Sequence, residues 1–103
     1  MQTRITARHF QASDGLRDHI EQSVTKLTRY YDGILNAHVV LNGDESATDK
    51  SAEVSLNVYR QTLTASDSAA SHEVAVDGCV KQLRRQVQRY KDKLRSTSKD
   101  THR

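Results

Sequence analysis

The stretch V76-D-G-C-V-K-Q-L-R-R-Q-V-Q-R-Y-K-D-K-L-R95 decides the fold, because its apolar residues return at spacings of four and three. Val76, Val80, Leu83, Val87, Tyr90 and Leu94 fall on one stripe of a helix, so this segment is expected to lie against a core along one side. Its other sides are strongly basic. From Cys79 to Arg95 the charged residues are Lys81, Arg84, Arg85, Arg89, Lys91, Lys93 and Arg95 against Asp92 alone, a local charge of +6. Solvated helices usually mix signs so that residues four apart attract, whereas a helix of one sign repels itself unless an anion covers it. A phosphate backbone is the expected anion.

Working outward, the upstream pattern supplies a sheet for that helix to cover. Gln2 to Phe10 alternates, with Thr3, Ile5 and Ala7 on one side and Arg4, Thr6 and Arg8 on the other, as in a half-buried strand. Ser13 is a candidate N-cap for a helix over about Asp14–Tyr30, whose apolar positions are Leu16, Ile20, Val24, Leu27 and Tyr31. Asp32-Gly33 ends it. Strands are expected over Ile34–Asn42 and Ala52–Tyr59, with the acidic loop Gly43–Lys50 between them. A tight turn near Arg60-Gln61 leads to a short fourth strand, Thr62–Asp67, with Leu63 and Ala65 inward. The order is βαβββα. A long first connection suits a parallel crossover and the short later ones suit antiparallel neighbours, so the expected α+β fold has two layers: a four-stranded sheet with both helices on one face.

Composition sets the outer bounds. A chain of 103 residues is one domain, and with 35% hydrophobic residues, no Trp and a single Phe its core must be thin and mainly aliphatic. Residues 1–70 hold 7 Lys/Arg against 9 Asp/Glu, and residues 71–103 hold 9 against 4, so the net +3 conceals a basic C-terminal third. That asymmetry suits a protein that turns one face to a polyanion. No apolar run approaches the roughly 20 residues needed to span a bilayer, and no signal region follows Met1, so a cytoplasmic protein without membrane contact is expected. Cys79, the lone cysteine, excludes a disulfide framework and a cysteine zinc site, and its place beside the seam marks it as packing.

Enzyme chemistry has no constellation here. The five histidines show neither HxxxH nor HExxH spacing, no Ser or Cys sits in a glycine-rich elbow, and Asp44-Glu45-Asp49 lacks the ligand alternation of a calcium loop. No metal, cofactor or small-molecule substrate is expected. Of the tyrosines, Tyr31 and Tyr90 belong to the core, while Tyr30 and Tyr59 are candidates for touching the bound polyanion; no base-reading aromatic platform is evident, so a nucleic acid would be recognised by shape. Arg4, Arg8 and His9 on or beside the first strand are weaker contact candidates.

The chain resembles the ribosome hibernation promoting factor and protein Y family, also called ribosomal subunit interface or sigma-54 modulation proteins, over residues 1 to about 95. The resemblance is carried by Ile5-Thr6, Leu16-Arg17, Lys26-Leu27, Arg29-Tyr30-Tyr31-Asp32 and Val39-Val40-Leu41. Its strongest part is Leu83-Arg84-Arg85-Gln86-Val87 followed by Lys91-Asp92-Lys93-Leu94, which is similar to the family ending KLxRQLxxxKxKL. The resemblance implies a βαβββα domain like double-stranded RNA-binding domains. It implies a non-enzymatic translation inhibitor that binds the small ribosomal subunit and its 16S-type RNA at the decoding channel, excluding messenger and transfer RNA in slow growth. It places Lys26, Arg29, Arg85, Arg89 and Lys91 where the family has basic residues facing ribosomal RNA, with Lys81 and Arg84 as additional positives. It further implies a short form, monomeric when free, with a flexible polar tail over residues 96–103 that lacks the acidic character of the protein Y tail and so leans to the dimer-promoting type. Three departures stand out: Ser71-His72-Glu73 replaces an Asp-Met-Tyr trio, Gln82 replaces a Lys, and Arg60-Gln61 replaces Asn and Gly in a turn. Two other readings of the basic helix remain, a regulator that binds an acidic protein surface and a generic double-stranded RNA binder.

Overall fold

A computed structural model describes residues 1–43 and 49–101, with side chains as far as Leu94. The order of elements is β1 (Gln2–Arg8), α1 (Asp14–Thr25), a 3₁₀ turn (Lys26–Arg29), β2 (Asn36–Asn42), β3 (Lys50–Val58), β4 (Gln61–Ala69) and α2 (His72–Thr101). The expected βαβββα order is thus present. The acidic loop expected after β2 falls mostly on residues 44–48, outside the described residues.

The four strands form one sheet in the order β1-β2-β3-β4, with β1 parallel to β2 and the other pairs antiparallel. Register aligns Ile5, Val39, Val54 and Ala65 across all four strands, and the next inward row aligns Thr3, Ala37, Leu56 and Leu63. Over these two rows one face is therefore apolar, apart from Thr3 at the β1 edge. Leu16, Ile20, Val24 and Leu27 from the first helical segment and Val76, Cys79, Leu83 and Val87 from α2 join those strand residues in a single core. Both helices accordingly lie on the same face. The opposite face carries Arg4, His38, Ser55 and Thr64 in one row and Thr6, Val40, Glu53 and Ser66 in the next.

Local chemistry sets the ends of the elements. Ser13 caps α1 as expected, its hydroxyl accepting the Leu16 N–H at 3.1 Å. The helix does not run α-helically to Tyr30. The Thr28 hydroxyl donates to the Thr25 carbonyl at 2.7 Å, competing for an acceptor that the α-helical ladder would use, and the last turn tightens so that Tyr30 N–H reaches Leu27 O at 3.1 Å. Ser71 caps α2, accepting from Val74 N–H at 3.3 Å. His72 then stacks on Phe10, with ring centroids 4.6 Å apart and planes within 3°, and its Nε2–H donates to Asn42 O at 2.9 Å. The departure Ser71-His72-Glu73 therefore keeps a cap and ties the start of α2 to the ends of β1 and β2. At the other end α2 continues through Thr101, where the sequence leads one to expect a frayed polar tail after Arg95.

Contact between α2 and the β3–β4 hairpin is closer than an apolar seam alone requires. β4 is an edge strand, and the carbonyls of alternate residues point away from β3. Gln82 Nε2 donates to Ser66 O at 3.2 Å, Gln86 Nε2 to Thr64 O at 2.9 Å, and the Tyr90 hydroxyl to Tyr59 O at 2.6 Å. These three residues are four apart on α2 and form one row along the strand edge. Gly78 begins the same row, and a methyl group there would overlap the Asp67 carboxylate of β4. The expected seam holds with two adjustments: Val80 and Leu94 are only partly buried, and Ala75 and Cys79 are fully enclosed.

Cys79 donates its S–H to Ala52 O at 3.4 Å. Burial, with help from the nearby Asp67 and Glu53 carboxylates, pushes its thiol from 9.0 up to about 11. Below pH 9 the thiol is protonated in both the folded and unfolded chain and contributes no pH dependence. Between about 9 and 11 only the unfolded chain releases the proton, so folding stability falls as pH rises through that window. Urea titrations at pH 8, 9 and 10 should show this decline, and Cys79→Ala should flatten it, leaving the part contributed by tyrosine ionisation.

Candidate nucleic-acid interface

α1 and α2 lie side by side, and polar groups fasten them along the seam that faces solvent. His19 Nε2 and the Ser23 hydroxyl, one turn apart on α1, meet the same Asp77 oxygen of α2 at 2.9 and 3.0 Å. Ser23 is buried, and its hydroxyl would be costly to leave unpaired. Further along, Lys91 Nζ donates to Tyr30 O at 3.1 Å, tying α2 to the end of the 3₁₀ turn. The Arg84 guanidinium lies 4.8 Å from the centroid of the Tyr30 ring. Tyr30 therefore holds two cations of α2, one through its ring and one through its carbonyl.

The result is a shallow cleft of about 260 Å³ between the helices, lined by Ser23, Lys26, Tyr30, Asp77, Val80, Lys81 and Arg84. Three of the expected site residues, Lys26, Lys81 and Arg84, come together there. Asp77 is the one carboxylate in the lining, and it is engaged by His19 and Ser23 rather than by the cations. Arg85 and Arg89 follow Lys81 at four-residue steps and are exposed along the outer ridge of α2. Among the described residues, Lys26, Arg29, Lys81, Arg85 and Arg89 have no carboxylate partner.

Two expected residues stand apart from that arrangement. Arg29 lies on the outer flank of the 3₁₀ turn, where it and Lys26 border a depression with Glu21 and Gln22. Lys91 is half-buried and already commits one N–H to the Tyr30 carbonyl, so it is first a structural tie. Arg4 and Arg8 project from the sheet face opposite the helices, away from the cleft.

Sequence alone places Tyr31 and Tyr90 in the core but gives no role to Asp77 and no sign that the four tyrosines converge. Asp77 is a lone acid in a basic segment, and only the approach of α1 reveals that it accepts two hydrogen bonds. The tyrosines, dispersed in sequence, converge at one end of the molecule. Tyr31 packs edge-on against Tyr90 with centroids 5.6 Å apart at 70°, Tyr90 reaches the Tyr59 carbonyl, and Tyr30 adjoins Arg84. Burial, followed by the neighbouring Tyr31, pushes the Tyr90 phenol above its ordinary value of 10.0.

Fold and surface together define a class: a two-layer α+β domain whose paired helices expose a rigid row of cations, Lys81, Arg85 and Arg89, without carboxylate partners among the described residues. Residues 3–95 match the family described as Sigma 54 modulation protein / S30EA ribosomal protein, and the chain belongs to that family. The ribosome hibernation promoting factor of Escherichia coli (strain K12) is 30% identical over 95 residues, which cover 92% of this chain and 98% of that one. Among solved structures, the Thermus thermophilus protein Y N-terminal domain superposes with a TM-score of 0.76 at 29% identity, covering 84% of this chain and 94% of that one. A ribosomal subunit interface protein from Coxiella burnetii shares the fold with a TM-score of 0.81 at 21% identity, covering 89% of this chain and 99% of that one.

Asp77 provides a direct check on how the helices are held. Asp77→Ala removes the acceptor shared by His19 and Ser23 and should lower unfolding free energy by about 1–2 kcal/mol in urea titrations, because the Ser23 hydroxyl is left buried. Asp92→Ala, an exposed change on the same helix, should alter it by less than about 0.5 kcal/mol.

Proposed function

We propose that this chain is a ribosome hibernation factor that binds the small ribosomal subunit at the decoding channel, against 16S-type RNA, and excludes messenger and transfer RNA. The observation that carries the proposal is the row of exposed cations on the paired helices, Lys26, Lys81, Arg84, Arg85 and Arg89, unpaired with carboxylates among the described residues. Membership of the family and the names of the relatives, a hibernation promoting factor and a ribosomal subunit interface protein, support the ribosome as the site of action. The protein then works in the cytoplasm by occupying space.

Physical reasoning connects the surface to that action. An occluding protein must hold its shape while it holds its site, and here the cations ride on helices fixed by a shared core and by the Asp77 and Tyr30 ties. Arginine forks bind phosphate oxygens in pairs, and Arg84 is preset by its stacking on Tyr30. Each phosphate neutralised releases counterions, so about five contacts give a log–log salt slope near −4. The flat, exposed cleft offers no enclosed chamber for catalysis on a small substrate.

Co-sedimentation with purified small subunits across a salt series tests this. Wild type should associate at low salt and dissociate steeply as salt rises. Changing Lys81, Arg85 and Arg89 together to Ala should weaken binding and reduce the steepness by about 2–3 in the log–log slope. All three side chains are exposed and have no carboxylate partner among the described residues, so the variant should keep its fold. Wild type that fails to associate even at low salt would refute the ribosomal reading and favour an acidic protein partner. Equal affinity for free RNA duplexes and for subunits would favour a generic duplex binder.

A further inference from the structure

Tyr59 and Arg60 form the tip of the β3–β4 hairpin, between Val58 and Gln61, which pair with each other. Tyr59 is 62% exposed, which is unusual for a ring that the core beside it could have used. Arg60 has φ of 64°, a left-handed conformation that a glycine would enter without strain. Tyr59 does not share that conformation, so the loop is not the type I′ turn that the Asn and Gly of the family pattern would make. In its place the chain has a ring with a guanidinium 5.1 Å from its centroid.

The tip is also held in position. The Tyr59 carbonyl accepts the Tyr90 hydroxyl at 2.6 Å, and Tyr90 is in turn packed by Tyr31. Below the tip, Thr62 Oγ1 donates to Asn57 Oδ1 at 2.9 Å and Asn57 Nδ2 to Asn36 Oδ1 at 2.6 Å, which ties the hairpin arms to each other and to β2. An exposed ring on a fixed hairpin loses little conformational freedom when something stacks on it. Arg89 and Lys91 flank Tyr90 in sequence and bring positive charge to the same end of the molecule.

We propose that the Tyr59–Arg60 tip is a stacking platform for one unpaired base of single-stranded RNA, next to the basic face of α2. The ligand follows from the chemistry. A single ring is far smaller than the roughly 800 Å² per partner of a stable protein interface, whereas it matches the face of one base. The cations around it suit the phosphates on either side of that base. The ribosomal setting rests on the function proposed above; the stacking does not, and the two can be tested separately.

Affinity for small subunits is measured for wild type, Tyr59→Phe and Tyr59→Ala across a salt series, with urea titrations of each. The carbonyl that receives Tyr90 belongs to the backbone and is retained in both variants. Stacking is worth about 1–3 kcal/mol per base, so Tyr59→Ala should weaken binding by about 5- to 150-fold with the salt slope unchanged, while Tyr59→Phe stays within about twofold. In parallel, the Tyr59 ring resonances are followed by NMR during titration with a short single-stranded oligonucleotide and with a duplex of equal length. They should shift with the single strand and not with the duplex. Tyr59→Ala that binds subunits like wild type overturns the platform and leaves the ribosomal reading intact. Wild type that ignores subunits, with Tyr59 still shifting in the single strand alone, overturns the ribosomal reading and supports the platform. Equal shifts with the two oligonucleotides, or a Tyr59→Ala loss matched by a lower urea midpoint, overturn the platform.

Discussion

α2 is held on two sides at once, and the placement of every functional candidate depends on that double constraint. Its apolar stripe, from Val76 through Leu83 and Val87 to Tyr90, lies in the core against the sheet. Its next row, Gln82, Gln86 and Tyr90, bonds the carbonyls of Ser66, Thr64 and Tyr59 along the free side of the hairpin. A helix fixed by one stripe can still roll by a residue, but one fixed by two adjacent rows cannot. The ridge of Lys81, Arg85 and Arg89 and the flank of Arg84 are left to solvent, and both are basic. The same glutamines cover an edge that would otherwise be open to pairing with another chain.

Rigidity and charge are therefore supplied by different residues of one helix. The hydrophobic stripe contributes most of the stability, with each fully buried Val or Leu worth about 1.5–3 kcal/mol. The exposed cations contribute little to it and repel one another, which is the expected condition of a surface awaiting an anion. Polar ties at Asp77 and at Tyr30 sit between the two, fastening the first helical segment so that Lys26 faces Lys81 and Arg84.

Much of this was legible in sequence, for identifiable reasons. Strand alternation and the Ser13 cap are local signals, and the register of Val39 with Val54 and of Leu56 with Leu63 follows the inward residues they mark. The basic ridge of α2 is legible because a helix has a fixed period. What escaped the sequence was set by contacts between distant residues. The tightening after Thr25 depends on one hydroxyl of Thr28. Gln82 reads as the loss of a positive charge until the edge of β4 lies beside it. Lys91 reads as a free cation until the Tyr30 carbonyl is found at its ammonium. The four tyrosines gather at one end only because β3, β4, α2 and the 3₁₀ turn meet there.

The central claim is that the ridge and cleft of the paired helices form the ribosome-binding face, and lysine footprinting tests it most directly. The protein is acetylated briefly, alone and with saturating small subunits, and the modification of each lysine is read by mass spectrometry. Lys26 and Lys81 should be protected in the complex, while Lys50 at the start of β3, outside the lining of the cleft, should react as before. Protection of Lys50 with Lys26 and Lys81 still fully reactive would contradict the account and move the binding face to the end of the sheet where β3 begins.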